Sequence, residues 1–268
     1  MTEKDLEPAL LRQKFGENDF LNEFRVFEEL DSTNEYLKRE IENLTGNTLI
    51  IALAQNAGKG SKGRNWDSPA GSGIWMSILI RPDIPAVKAP MLTLVIALSI
   101  AKAMRVLYNI PVQIKWPNDI VCNGKKLCGI LTEMKKLSDG SYGVVIGMGI
   151  NVNTESFPQE LLNKATSVYI ETGKKSCRAD LVAAVIDNFS NDYKSFLQTQ
   201  DLSLLLREYS HLSATVGKPV RVMDLKGEYT ATAVSVGSDG CLLVQCEDGQ
   251  TKKILGDEVS VRGIYGYI

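Results

Sequence analysis

The order of apolar and polar positions divides the chain into short elements. Residues 24–30, 48–54 and 73–80 are aliphatic, aromatic and β-branched runs of strand length, the last stopped by Arg81-Pro82. Between the first two, Asp31-Ser32-Thr33-Asn34-Glu35 opens a helix. Ser32 and Glu35 have the spacing of a capping box, and Tyr36, Leu37 and Ile41 continue at helical spacing. Residues 89–108 predict a long helix, apolar enough to be buried. Residues 112–116 predict a strand, and 120–122 and 126–134 flank Asn123-Gly124, the dipeptide of a tight hairpin turn. A further strand is expected over 142–150, and helices over 178–197 and 202–212.

After Gly217 the texture changes to short strands at 220–223, 229–236, 241–245, 251–255 and 259–262, with Gly or Asp turns between them. This predicts a small β-barrel-like module with its boundary near residue 215. The expected organisation is an N-terminal extension over 1–22, polar and weakly helical, a main domain over 23–214 and the small module over 215–268.

Composition narrows the class. A chain of 268 residues with 44% hydrophobic content can bury a sizeable core, and a net charge of −2 excludes a generally nucleic-acid- or membrane-adhesive molecule. The longest apolar run, 91–101, is shorter than the ~20 residues a bilayer-spanning helix needs, and the charged N-terminus has no signal-peptide core. A cytoplasmic protein is expected. Cys122, Cys128, Cys177, Cys241 and Cys246 form no C-x-x-C pair, which argues against a disulfide framework or zinc site. The single histidine, His211, has no nucleophile motif near it and reads as structural.

Two segments carry the chemistry. The loop Gly58-Lys59-Gly60-Ser61-Lys62-Gly63-Arg64-Asn65-Trp66 offers backbone N–H groups, cations and an aromatic ring. It matches G-x-G-x-x-G in letters, but a strand follows it where a dinucleotide fingerprint needs a helix. It also lacks the Lys-Ser/Thr of a P-loop. A flexible basic loop between two strands is the alternative reading. The second segment, Lys115-Trp116-Pro117-Asn118-Asp119, ends a strand in a rigid turn that presents Asn118 and Asp119. Together the two suit chemistry on an activated phosphate.

With Asp31-Ser32-Thr33-Asn34, Gln55-Asn56-Ala57-Gly58-Lys59-Gly60, Gly63-Arg64-Asn65-Trp66, Lys126-Leu127-Cys128-Gly129-Ile130-Leu131 and Gly147-Met148-Gly149-Ile150-Asn151-Val152-Asn153, these segments resemble the biotin–protein ligases in order and spacing over residues 24–262. The resemblance implies an α+β fold: a mixed β-sheet with helices on one side, followed by a small C-terminal SH3-like β-barrel. It implies ATP and biotin as substrates with Mg2+, biotinyl-5′-AMP as intermediate, and a lysine of a biotin carboxyl carrier domain as acceptor. It admits a homodimer paired through sheet edges.

By the same resemblance, Ser32, Thr33, Asn34 and Gln55 contact the biotin ureido ring, with Lys59, Gly60, Ser61, Gly147 and Gly149 completing the biotin site. Lys126 reaches both the biotin carboxylate and the α-phosphate. Lys59, Arg64, Trp66, Asn118 and Asn151 contact ATP, Trp66 by packing on adenine. Asn118, Asp119 and Asn151 are the metal ligands, and Lys126, Asp119 and Arg64 the catalytic set. From the residues alone, Ser32 is equally a helix cap, Lys126 a surface lysine beside Lys125, and Trp66 a core ring.

The sequence departs from the family twice. The family's loop carries arginines at the positions of Lys59 and Ser61; Lys59 keeps the charge without the bidentate fork, and Ser61 loses it. In the family the second arginine helps retain the acyl-adenylate. Many bacterial relatives also carry an N-terminal helix-turn-helix domain. Residues 1–22 are too few for one, so no operator binding is expected. The competing readings are a lipoate or octanoate ligase and a non-catalytic biotin sensor.

Overall fold

The computed structural model describes residues 5–224, 227–256 and 260–263. Its first part comprises α1 (Pro8–Phe15), β1 (Glu23–Leu30), α2 (Thr33–Glu40), β2 (Thr48–Gln55), β3 (Gly73–Ile80), α3 (Leu92–Tyr108), β4 (Val112–Lys115), β5 (Asp119–Cys122), β6 (Lys125–Lys136), β7 (Tyr142–Asn151), α4 (Val168–Thr172), α5 (Arg178–Thr199) and α6 (Leu206–Leu212). Strands β1–β7 form one mixed sheet in the order β1-β2-β3-β7-β6-β5-β4, parallel at β1–β2 and antiparallel elsewhere. Asn123 and Gly124 both take positive φ (47° and 78°), the twist of the tight hairpin expected between β5 and β6.

Alternation along the central strands sends side chains to two different covers. Ile74, Met76, Ile78 and Ile80 of β3 join the cluster beneath α3 and α5. Leu79 points the other way and meets Leu37 and Ile41 at α2, with Ile50 and Val145. The long helices thus share one face of the sheet, as expected, while the short α2 sits alone on the opposite face. The site opens beside α2.

The second part comprises β8 (Pro219–Asp224), β9 (Gly227–Val236), β10 (Leu242–Cys246), β11 (Thr251–Ile254) and β12 (Ser260–Gly263), an antiparallel five-stranded sheet in the order β11-β10-β9-β8-β12. Its inner residues Val220, Val222, Leu242 and Val244 belong to the same buried cluster as α3 and the large sheet. Trp116, 2% exposed, joins the two parts. Its indole Nε1 donates to Gly240 O (3.0 Å) and its backbone N to Thr215 Oγ1 (3.0 Å).

Four local expectations shift for identifiable reasons. The helix expected from residue 89 is a 3-10 turn through Ala86–Met91 that becomes α-helical at Leu92, because Pro90 has no N–H to donate inside a helix. The whole segment Ala86–Tyr108 is long and apolar enough to cross a bilayer, although the apolar run alone was not, and here it is a mostly buried core helix. The helix expected from residue 202 begins at Leu206, since Leu202 N bonds Ser238 O of the second sheet instead. Finally, the capping box does not form. Ser32 occupies the N-cap position of α2 without a side-chain cap bond.

Residues 5–22 pack tightly on the large domain. Leu6 and Leu11 are buried, and Lys14 pairs with Asp180 of α5 at 2.6 Å. The strongest tie is ionic. The Arg178 guanidinium, 1% exposed, donates to the Asp5 carboxylate through Nε (2.9 Å) and Nη2 (2.6 Å), and through Nη1 to Gly73 O (3.1 Å). Removing one member of such a pair leaves a buried charge uncompensated. Asp5→Asn is therefore expected to lower unfolding stability by about 3–5 kcal/mol, measured by urea denaturation.

Candidate active site

A cavity open to solvent lies between the N-terminus of α2, the loop 58–66 and strands β6 and β7. Its floor is a chain of buried polar groups. Thr33 N donates to Gln55 Oε1 (2.8 Å), and Gln55 Nε2 donates to Ser68 Oγ (2.8 Å). Ser77 Oγ donates to Asn34 Oδ1 (2.5 Å), so the short Thr33–Ser77 contact (2.6 Å) is donated by Thr33. Asn34 Nδ2 donates to Glu133 Oε2 (2.8 Å) and Leu131 O (3.2 Å). Because Ser32 makes no cap bond, its hydroxyl is left to face the cavity.

Glycines form the wall. A Cβ at Gly147 would stand 2.3 Å from Asn34 Oδ1, and one at Gly149 would stand 2.4 Å from Trp66 Nε1. Gly129 lies directly across from Gly149 in the β6–β7 register, and its Cβ would meet Trp66 Cζ3 at 2.8 Å. Two facing glycines thus leave a slot that the Trp66 indole fills. Its Nε1 is buried with no hydrogen-bond partner among the described residues.

Lys126 enters from the same side. A register shift in the β5–β6 ladder between Ile120 and Val121 sets its position. Its Nζ lies 2.6 Å from Asp119 Oδ1 and 5.1 Å from the centroid of the Trp66 ring. Asn118 is held from both ends: its Nδ2 donates to Ile130 O and its own O accepts from Ile130 N, each at 2.9 Å. The preceding Trp116-Pro117 peptide bond is cis. Cys128, next along β6, is fully buried, and burial pushes its thiol well above the ordinary range, so it is no nucleophile.

The loop is a hairpin, with Trp66 N bonded to Gly58 O (2.9 Å) and Gly60 N to Arg64 O (2.7 Å). A strand rather than a helix follows, as the sequence indicated. Lys59 Nζ meets Glu35 Oε1 of α2 at 2.5 Å, and Lys38 Nζ meets the same oxygen at 2.7 Å. Lys38 first and Lys59 second hold the Glu35 carboxyl below its ordinary 4.5, against the opposing effect of burial.

The cavity thus brings together Ser32, Thr33, Asn34, Gln55, Lys59, Gly60, Ser61, Trp66, Asn118, Lys126, Gly147 and Gly149. Three residues of the expected set do not line it. Asp119 stands behind Lys126. Arg64 is exposed and turns its Nε to Ser61 O (3.3 Å). Asn151 is buried at the end of β7, its Nδ2 bonded to Thr166 O (3.1 Å). Sequence reasoning missed Gly129, Ile130, Leu131, Met76 and Met148 as lining residues, and Ser77 and Glu133 as supports of the floor. Gly129 was not findable in this role from strand lengths, because the strands expected over 126–134 and 142–150 oppose it to Gly147, whereas the ladder sets it against Gly149. Ser77 and Glu133 carried no local signal. Among the described residues no three His, Cys, Asp or Glu side chains group as a metal cage.

Comparison with known proteins agrees with this geometry. Residues 26–151 match the biotin/lipoate A/B protein ligase family, and residues 215–262 match the biotin protein ligase C-terminal domain. The chain is 34% identical over 253 residues to the bifunctional ligase/repressor BirA of Bacillus spizizenii, spanning 92% of this chain and 77% of that protein. It is 28% identical to the biotin–[acetyl-CoA-carboxylase] ligase of Mycobacterium tuberculosis, over 96% of each. The biotin protein ligase of Aquifex aeolicus in complex with biotin and ATP superposes with a TM-score of 0.80 at 31% identity, over 91% of this chain and 100% of that one.

The Glu35 cluster sets a pH expectation. A carboxyl depressed on folding contributes stability that is fully present above its unfolded value, and that contribution is lost as pH falls through the lower, folded value. Side-chain NMR titration should therefore find Glu35 ionising below 4.5, and moving back toward that value in Lys38→Met.

Proposed function

The chain belongs to the biotin/lipoate A/B protein ligase family, and on that premise we propose that it is an ATP-dependent biotin–protein ligase acting through this cavity. One observation carries the reading. A polar floor built to hydrogen-bond a small ring lies beside one ammonium, Lys126, in a pocket closed by an indole. In this reading the ureido group of biotin meets Ser32, Thr33, Asn34 and Gln55, and its carboxylate reaches Lys126.

In the first half-reaction a carboxylate oxygen of biotin bonds to the α-phosphorus of ATP. The bridging P–O bond breaks, and pyrophosphate leaves with the bonding pair. No proton moves, and both partners are anionic, so the need is for fixed cations and donors rather than a base. Lys126 supplies that charge, and Asp119 at 2.6 Å holds its ammonium in place. Lys59 adds a second cation from the loop. Trp66 offers a flat face for adenine and an unpaired Nε1 donor.

In the second half-reaction an acceptor lysine amine attacks the acyl carbonyl of biotinyl-5′-AMP. An amide forms, AMP leaves and the amine gives up a proton. Asp119 is the carboxylate nearest Lys126 and is assigned the hydrogen bond from that amine. The acceptor is a lysine of a biotin carboxyl carrier domain.

Asn118 and Asn151 each donate their side-chain NH2 to a backbone carbonyl, which leaves the amide oxygen as the acceptor. The Asn118 oxygen at the cavity, with the Asp119 carboxylate, would suit a hard ion such as Mg2+ whose remaining ligands the triphosphate would provide, while Asn151, buried outside the cavity, is left out of that set. When bound, the ion would neutralise charge on the leaving pyrophosphate. The five cysteines are free, which supports a reducing compartment and a cytoplasmic setting.

The deciding experiment is exchange of labelled pyrophosphate into ATP with biotin or lipoate. Exchange with biotin alone is expected; exchange with lipoate alone makes the chain a lipoate ligase, and none with either favours a sensor. Lys126→Gln is expected to lower the biotin-dependent rate about 10²–10³-fold, the cost of removing one donor aimed at developing charge. Ser61 lines the cavity where the family carries an arginine. Ser61→Arg is therefore expected to slow release of biotinyl-5′-AMP about tenfold, followed in a filter-binding chase. An unchanged release rate sinks that assignment.

A further inference from the structure

Glu35 was read from sequence as half of a capping box, and the structure gives it other work. Its side chain does not cap α2. Instead Oε1 receives the ammonium groups of both Lys38 (2.7 Å) and Lys59 (2.5 Å). Lys38 shares its charge with Glu133 Oε1 at 2.7 Å, and Glu133 Oε2 accepts from Asn34 at 2.8 Å. An unbroken run of charged and polar contacts therefore joins the loop to the cavity floor. Lys59 is its only member on the loop. This pair ties the loop to α2, and Trp66 sits seven residues further along the same hairpin.

Glu35 itself does not line the cavity. It is half-buried against two cations, so its position is fixed, while Lys59 is 52% exposed and reaches across to it. A sheltered carboxylate holding an exposed cation is the arrangement of a latch. A lysine, as a point charge with a flexible stem, suits that use.

We propose that Glu35 is a positioning residue that latches the loop 58–66 over the cavity through Lys59, and that this latch governs how long a ligand beneath the loop is held. The closed hairpin keeps the Trp66 indole in the slot between Gly129 and Gly149. Breaking the ion pair lets the hairpin lift and exposes the ring. The consequence for ligand retention rests on the ligase reading; the consequence for Trp66 does not.

The test is acrylamide quenching of tryptophan fluorescence in the full chain without ligand. Of the three tryptophans, Trp75 and Trp116 are 1% and 2% exposed, so Trp66 is the quenchable reporter. Glu35→Gln keeps the shape and removes the charge. It is expected to raise the quenching constant about two- to fivefold, the scale of a partly exposed ion pair. Raising salt to about 1 M should do the same to the wild-type chain and nothing further to the variant. Lys59→Arg should retain the wild-type value alone and lose it when combined with Glu35→Gln.

Release of biotinyl-5′-AMP should quicken by a similar factor in Glu35→Gln, with the adenylation kcat unchanged. Quenching that does not change, or that responds to salt equally in both proteins, overturns the latch. Slower release does so too, since it would make Glu35 a competitor for Lys59. Altered quenching in a chain that exchanges no pyrophosphate with biotin would leave the latch standing and overturn the ligase reading instead.

Discussion

The hydrogen-bond chain from Gln55 through the buried Thr33, Ser77 and Asn34 to Glu133 is the contact on which the site depends. These groups lie between α2 and the sheet, where polar atoms without partners would cost more than the local apolar packing returns. Each must find its neighbour across 22 to 99 residues of sequence. Once they do, the helix N-terminus, the end of β2 and the middle of β3 can meet in one arrangement only. That arrangement turns a helix start into the floor of a cavity. It also explains why Gly147 can carry no side chain, since a Cβ there would meet Asn34.

Charge is placed around that floor in two tiers. Lys126 and Asp119 lie deep, held by the sheet ladder and by the turn that presents Asn118. The second sheet buttresses the turn, because Trp116 spends both its indole and its backbone donors on Gly240 and Thr215. Lys38 and Glu35 are about as sheltered as Lys126, and Lys59 of this second group is half in solvent. The deep pair is suited to charge that develops during reaction, where a low dielectric strengthens it. The Glu35–Lys59 pair is partly solvated and correspondingly weaker.

Much of this was legible in the chain. Alternation and apolar runs located the strands and the buried helix, because burial on one or two faces leaves a periodic trace. The Asn-Gly turn had one backbone solution. The motifs around Ser32, Gln55, Lys126 and Gly147 carried the family, and the cavity does gather those residues. Hidden from the sequence were Ser77 and Glu133, whose roles depend on which distant atoms arrive beside them. The anchoring of residues 5–22 was also hidden, because Asp5 finds Arg178 across 173 positions.

Local sequence therefore determined the elements, their order and the list of chemistry-bearing side chains, since backbone sterics and hydrophobic periodicity act over a few residues. Tertiary structure alone decided how those side chains are used. Glu35 had a satisfactory local partner in Ser32, yet Lys38 one turn along the same helix and Lys59 brought in by folding take the carboxylate instead. Arg64 and Asn151, candidates by motif, instead satisfy backbone carbonyls outside the cavity. Gly129 became half of a slot when the ladder set it opposite Gly149. The deciding quantity was a short-range electrostatic or steric contact, made across the chain for Glu35–Lys59, Asn151–Thr166 and Gly129–Trp66 and within one turn for Arg64–Ser61.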